Sequence, residues 1–179
     1  MCRDSHLWKQ GHIQVYTGDG KGKTTAALGL ALRTAGAGAR VFIAQFVKGR
    51  PTAELVSLTR LSDLITIKQY GREHFIVGEP EPEDIEAAQQ GLQETQQTIA
   101  SGEYPLVILD EANVAVDLGL FSVEALLEAV NSKPEHVEIV ITGRNAHERI
   151  IDRADLVTEM RQVKHYHSKG VEARAGIEE

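Results

Sequence analysis

Short apolar runs alternate along this chain with longer stretches of helical character. His12-Ile13-Gln14-Val15-Tyr16 alternates apolar and polar positions and predicts a first strand. Thr24 to Ala35 is rich in Ala and Leu and is closed by Gly36 and Gly38, which predicts a helix with a glycine stop. A second strand is expected over Arg40 to Phe46, a helix over 52–61 and a third strand over Leu64 to Ile67. Gly71, Gly78, Pro80 and Pro82 punctuate residues 70–82, predicting a long loop of the kind that serves as a lid. Pro82 to Ser101 reads as a polar helix with proline at its start and acids in its first turn. Leu106-Val107-Ile108-Leu109 is an unbroken apolar run, the mark of a strand buried on both faces. Further elements are expected at 122–132 (helix), Val137 to Ile141 (strand), 146–152 (short helix) and 155–163 (strand). Strands alternating with helices predict an α/β fold, a mostly parallel sheet with helices on both faces. No repeat or linker divides it, so one domain is expected over 1–179, with an N-terminal arm (1–11) and a C-terminal tail (168–179).

The strongest chemical signal is Thr17-Gly18-Asp19-Gly20-Lys21-Gly22-Lys23-Thr24, lying between the first strand and the first helix. Glycines let backbone amides converge on phosphate oxygens, and the helix N-terminus adds partial positive charge. Lys23 can reach a phosphate, and the Thr24 hydroxyl can hold a metal ion. The loop departs from the common form: Thr17 stands at the first glycine position, and extra glycines occur at 18 and 20.

The run Leu106 to Leu109 leads into Asp110-Glu111, like the Mg²⁺-holding strand of phosphate-loop enzymes. Adjacent strand residues face opposite ways, so both carboxylates reach one crevice only if the strand has ended there. A helix cap at Asp110 is the structural alternative. These parts are common to ATP hydrolysis, phosphoryl transfer and adenosyl transfer.

Composition narrows the setting. The formal charge of −7 argues against broad nucleic-acid binding. No apolar run is long enough to span a bilayer. Met1 to Gln10 lacks the apolar core of a signal peptide, and Cys2 is the single cysteine; a cytoplasmic protein is expected. His165 and His167 alternate and would share a face if their segment is a strand, but no third metal ligand is evident, which favours a surface pair.

Four segments together resemble the cob(I)alamin adenosyltransferases, the phosphate-loop family of ATP:corrinoid adenosyltransferases. They are Thr17 to Ala27, Gln45-Phe46-Val47-Lys48-Gly49, Val107 to Glu111, and Ile141-Thr142-Gly143-Arg144 with its continuation through Ala154-Asp155, Val163-Lys164-His165 and Gly170-Val171. The resemblance implies a phosphate-loop, RecA-like fold. It implies attack of a reduced corrinoid cobalt on the 5′ carbon of ATP, with triphosphate leaving and ATP bound reversed relative to most phosphate-loop enzymes. Carried over by position, Gly18, Asp19, Gly20, Lys21, Gly22, Lys23, Thr24 and Thr25 bind the triphosphate, Lys21 and Lys23 being catalytic. Arg33 becomes a phosphate contact, and Thr24 and Glu111 hold Mg²⁺ or Mn²⁺. Phe75, in Tyr70-Gly71-Arg72-Glu73-His74-Phe75-Ile76, becomes the aromatic residue that displaces the lower cobalt ligand. An electron-donating reductase and a homodimer, with the N-terminal segment reaching the partner's site, follow from the same resemblance. A general phosphate-loop ATPase or kinase is the alternative function.

Overall fold

The computed structural model describes residues 7–49, 52–72, 76 and 78–178. Six strands form one sheet: β1 Ile13–Thr17, β2 Val41–Phe46, β3 Ile65–Tyr70, β4 Leu106–Asp110, β5 Glu138–Thr142 and β6 Leu156–Glu159. All pairings are parallel, in the order β3-β2-β4-β5-β1-β6. The helices are α1 Lys23–Gly36, α2 Ala53–Leu58, α3 Pro82–Ser101, α4 Ala112–Asp117, α5 Val123–Asn131 and α6 Glu148–Arg153. This is the α/β architecture expected of a phosphate-loop fold.

Strand periodicity sorts the core into two layers. On one face Phe42, Ala44, Phe46, Val107, Leu109, Ile139 and Ile141 pack with buried residues of α3, α4, α5 and α6, among them Leu92, Ala115, Leu126 and Ile150. On the other, Val41, Ile43, Leu106, Ile108 and Val140 pack against Ala27, Ala31 and Ala35 of α1 and Leu58 of α2. β4 is wholly buried because both faces are covered, and each buried Leu or Ile there contributes roughly 1.5–3 kcal/mol. The small alanines of α1 let that helix lie close to the sheet, which fixes the loop preceding it.

Several elements depart from the sequence reading. β3 runs on to Tyr70 rather than stopping near Ile67. Tyr70 stacks on Phe46 with ring centroids 5.7 Å apart, and its hydroxyl donates to Glu94 of α3. Gly91 makes room for that ring, since a Cβ there would lie 2.3 Å from Tyr70 Cγ. The expected helix over 52–61 is α2 followed by a 3-10 turn, Thr59–Leu61. α4 went unforeseen; it is six residues long, and its burial of Ala112 and Ala115 stabilises it where its β-branched valines do not. The last strand ends at Glu159, not 163. Met160 bonds to Thr17 and then accepts from the Gly20 amide, so the chain leaves the sheet to wrap the phosphate loop. His165 and His167 therefore do not alternate on a strand. His165 caps the 3-10 helix Tyr166–Lys169, and the two rings meet edge-on at 6.2 Å.

Candidate active site

The phosphate loop is built by close backbone approach. A Cβ on Gly18 or Gly20 would lie 2.5 or 2.6 Å from the Met160 carbonyl oxygen, so neither position accepts a side chain. Gly22 caps α1 at φ 116°, in the left-handed region open to glycine. Lys23 is buried, and its Nζ donates to the carbonyls of Gly18 and Gly20, both at 2.7 Å. Burial pushes its pKa below the ordinary lysine value; Glu111 opposes that shift and Arg144 adds to it. Its ammonium bonds are to neutral carbonyl dipoles, weaker partners for a cation than an anion.

The neighbouring loop residues divide. Asp19 accepts from the Gln162 amide at 3.0 Å, and that bond holds its carboxyl below the usual range. Thr25 is exposed in the first turn of α1. Lys21 is held by the C-terminal tail: its Nζ donates to the Ile177 carbonyl at 2.5 Å and lies 3.8 Å from Glu178. Glu178 is in turn gripped by Arg174 and Tyr166. Arg33 is exposed in the last turn of α1, about 15 Å of helix rise from Lys23. The fold thus brings residues 18–24 together and leaves Arg33 apart. Phe75, along with Glu73 and His74, lies outside the described residues.

Across the crevice, β4 ends at Asp110, and Glu111 turns the chain into α4 at φ 60°. This turn brings both carboxylates to one side, the condition that strand geometry required. Asp110 is fully buried and accepts four hydrogen bonds. Thr24 and Thr142 hydroxyls donate to Oδ1 at 2.8 and 2.7 Å, and Gln45 and Lys48 donate to Oδ2 at 3.1 and 2.9 Å. Four donors occupy the roughly four lone-pair directions of a carboxylate. Glu111 differs. Burial, and then the Asp110 charge, push its carboxyl above the usual range, while Lys48, Lys23 and Arg144 pull it back. Asp110 is thus saturated, whereas Glu111 is a half-buried carboxylate in a field of three cations.

Sequence reasoning missed Thr142, Gln45 and Lys48 as parts of this cluster. β5 lies between β1 and β4 in the sheet, so the phosphate loop and Asp110 are not on adjacent strands. Thr142, at the end of β5, holds the β4 end by donating to Asp110 and accepting from the Glu111 amide at 3.0 Å. All three residues sit in segments singled out as motifs, but only the strand order shows that they converge. A cleft of about 450 Å³ is lined by Thr17, Asp19, Asn145, Glu159, Arg161 and Gln162.

Comparison with known proteins agrees with this arrangement. Residues 9–178 match the family described as ATP:corrinoid adenosyltransferase BtuR/CobO/CobP. The chain is 35% identical to the corrinoid adenosyltransferase CobA of Salmonella typhimurium strain LT2 over 178 residues, covering 95% of this chain and 86% of that one. It is 34% identical to the corrinoid adenosyltransferase of Escherichia coli strain K12, with the same coverage. Against the corrinoid adenosyltransferase of Pseudomonas aeruginosa it is 32% identical over 171 residues, 95% of this chain and 84% of the relative. From the phosphate loop to the tail, this chain belongs to the ATP:corrinoid adenosyltransferase family.

Proposed function

We propose that the chain transfers the 5′-deoxyadenosyl group of ATP to the reduced cobalt of a corrinoid and releases triphosphate. The observation that carries this is the buried Lys23, set among carbonyls in an anion cradle, in a chain of this family. The cobalt electron pair forms the cobalt–carbon bond as the C5′–O bond breaks, and that bonding pair leaves with the triphosphate. No activated side-chain nucleophile is required, because the corrinoid is the nucleophile. The chain aligns cobalt and carbon and stabilises a highly charged leaving group. Gly18, Asp19, Gly20, Gly22, Lys23, Thr24 and Thr25 surround the phosphates in this reading. Lys21 joins them once the tail releases it, and Arg33 is a further contact to be tested by Arg33→Ala beside Lys23→Ala.

A divalent cation, Mg²⁺ or Mn²⁺, supplies charge to the leaving phosphates when bound. The Thr24 hydroxyl and the Glu111 carboxylate would hold it. Both are hard oxygen donors, as these ions prefer, and the saturated Asp110 orients Thr24 from behind. The remaining proposals are a cytoplasmic homodimer served by an electron-donating reductase, and Phe75 at the corrinoid face on the loop after β3. Phe75→Ala should lower activity sharply from Co(II) corrinoid and much less from chemically reduced Co(I), with ATP affinity unchanged; equal losses from both would reduce Phe75 to a support for the fold. The decisive test of the function is incubation with ATP, Mg²⁺ and chemically reduced corrinoid. A cobalt–carbon product and triphosphate are expected. Phosphate release independent of corrinoid would favour an ATPase and overturn the reading.

A further inference from the structure

Lys48 has no part in the roles above, yet the backbone is shaped to deliver it. Val47 adopts φ 62°, a left-handed conformation that a β-branched residue takes up only when its surroundings impose it. What imposes it is a close packing of the ends of β2 and β3. A Cβ on Gly49 would lie 2.4 Å from the Gly71 carbonyl oxygen, and one on Gly71 would lie 2.6 Å from the Lys48 nitrogen. The turn sends Lys48 back into the crevice, where Nζ lies 2.9 Å from Asp110 Oδ2 and 3.4 Å from Thr24 Oγ1. The Glu111 carboxylate also acts on it. Thr24 spends its one hydroxyl proton on Asp110 Oδ1, so it presents lone pairs to Lys48. A plain ion pair would need Asp110 alone. Here an ammonium faces a buried carboxylate, the lone pairs of a hydroxyl and a second carboxylate, the oxygen set that a hard divalent cation uses.

We propose that Lys48 is the resident cation of the metal site: its ammonium neutralises the Thr24–Asp110–Glu111 cluster until a divalent ion arrives, and the two cations compete for it. This rests on the reading that Thr24 and Glu111 hold the metal. In the absence of nucleotide Lys48 therefore weakens metal binding, although it lies among the metal's own ligands. Two positive charges cannot share these oxygens, since like charges about 4 Å apart repel by several kcal/mol even at a protein surface.

The test is Mn²⁺ binding without nucleotide, followed by the electron-spin resonance of free Mn²⁺. Lys48→Gln should bind Mn²⁺ at least about tenfold more tightly than the unaltered chain; unchanged or weaker binding overturns the proposal. Glu111→Gln, measured alongside, should bind more weakly. Unchanged binding there removes the metal assignment and this proposal with it. A loss in Glu111→Gln without a gain in Lys48→Gln removes only the role of Lys48. The unaltered chain gives a second readout that does not depend on the variant's folding. Mn²⁺ should raise the labelling of Lys48 by an amine-directed reagent, read by mass spectrometry, relative to the same ionic strength of NaCl. Equal labelling in the two salts counts against displacement.

Discussion

Two lysines face one crevice, Lys23 buried and Lys48 half-buried, and their partners differ in kind. Lys23 bonds to two carbonyl oxygens of its own loop. Lys48 bonds to a buried carboxylate from another strand. A carbonyl is a dipole and gives way easily to a phosphate, so Lys23 is poised for an anion. A carboxylate is a full charge, and taking its cation away leaves it buried and unpaired. Only another cation can take that place at low cost. In the proposed function, one side of the crevice takes phosphate and the other a metal ion, although both display an ammonium. A lysine's role here is set by what it bonds to in the resting chain.

The largest expected effect tests the phosphate side. Lys23→Ala should lower adenosyl transfer by about 10²–10³-fold, the scale of losing one preorganised charge-stabilising group, with an unchanged circular dichroism spectrum. Near-normal turnover would show that the two lysines do not differ in the way their partners suggest.

On the carboxylate side the main effect is on stability. Asp110→Ala removes the acceptor of four hydrogen bonds and strands Lys48, at a cost of about 3–5 kcal/mol. Urea unfolding measures this, and a cost under about 1 kcal/mol would mean that the cluster is solvated. Gly71→Ala tests whether the backbone delivers Lys48. A Cβ 2.6 Å from the Lys48 nitrogen forces the two turns apart, at about 1–3 kcal/mol in the same unfolding assay. A neutral result would show that the turns yield freely.

The smallest effect concerns the tail that occupies Lys21. Arg174 and Tyr166 hold the Glu178 carboxyl down at about 2, against an ordinary 4.5. A carboxylate whose pKa falls when residues 166–178 fold on one another supports that folded tail fully above its free value and loses that support as pH drops toward the lowered one. Amide protection across residues 170–178, measured relative to the intrinsic exchange rate at each pH, should therefore hold from neutral pH to about 4.5 and fall toward 2. Glu178→Gln should show low protection throughout; a protected tail in that variant would assign its order to other contacts.

Much of the fold was legible because its signals are local. The run Leu106 to Leu109 announces a strand covered on both faces, and both faces are covered. The glycines at 18, 20 and 22 announce a loop of backbone approaching backbone, and Met160 lies against two of them. Where reading failed, a distant partner had decided. Tyr70 stays in β3 because Gly91 of α3 leaves room for its ring. β6 stops at Glu159 because Met160 turns to bond the phosphate loop. α4 forms because Ala112 and Ala115 have a core to enter.

The sequence by itself determined the alternation of strands and helices, the phosphate loop, the carboxylate pair at a strand end and, through ordered motifs, the family. These follow from periodicity and short-range geometry, which a linear reading contains. Only the tertiary structure decided which side chains meet. Placing β5 beside β4 brings Thr142 to Asp110. Docking the ends of β2 and β3 through Gly49 and Gly71 turns Lys48 inward. The reason is physical: a hydrogen bond between residues 24 and 110, or 48 and 110, depends on strand order and on how closely two backbones approach. Both are properties of the packed sheet.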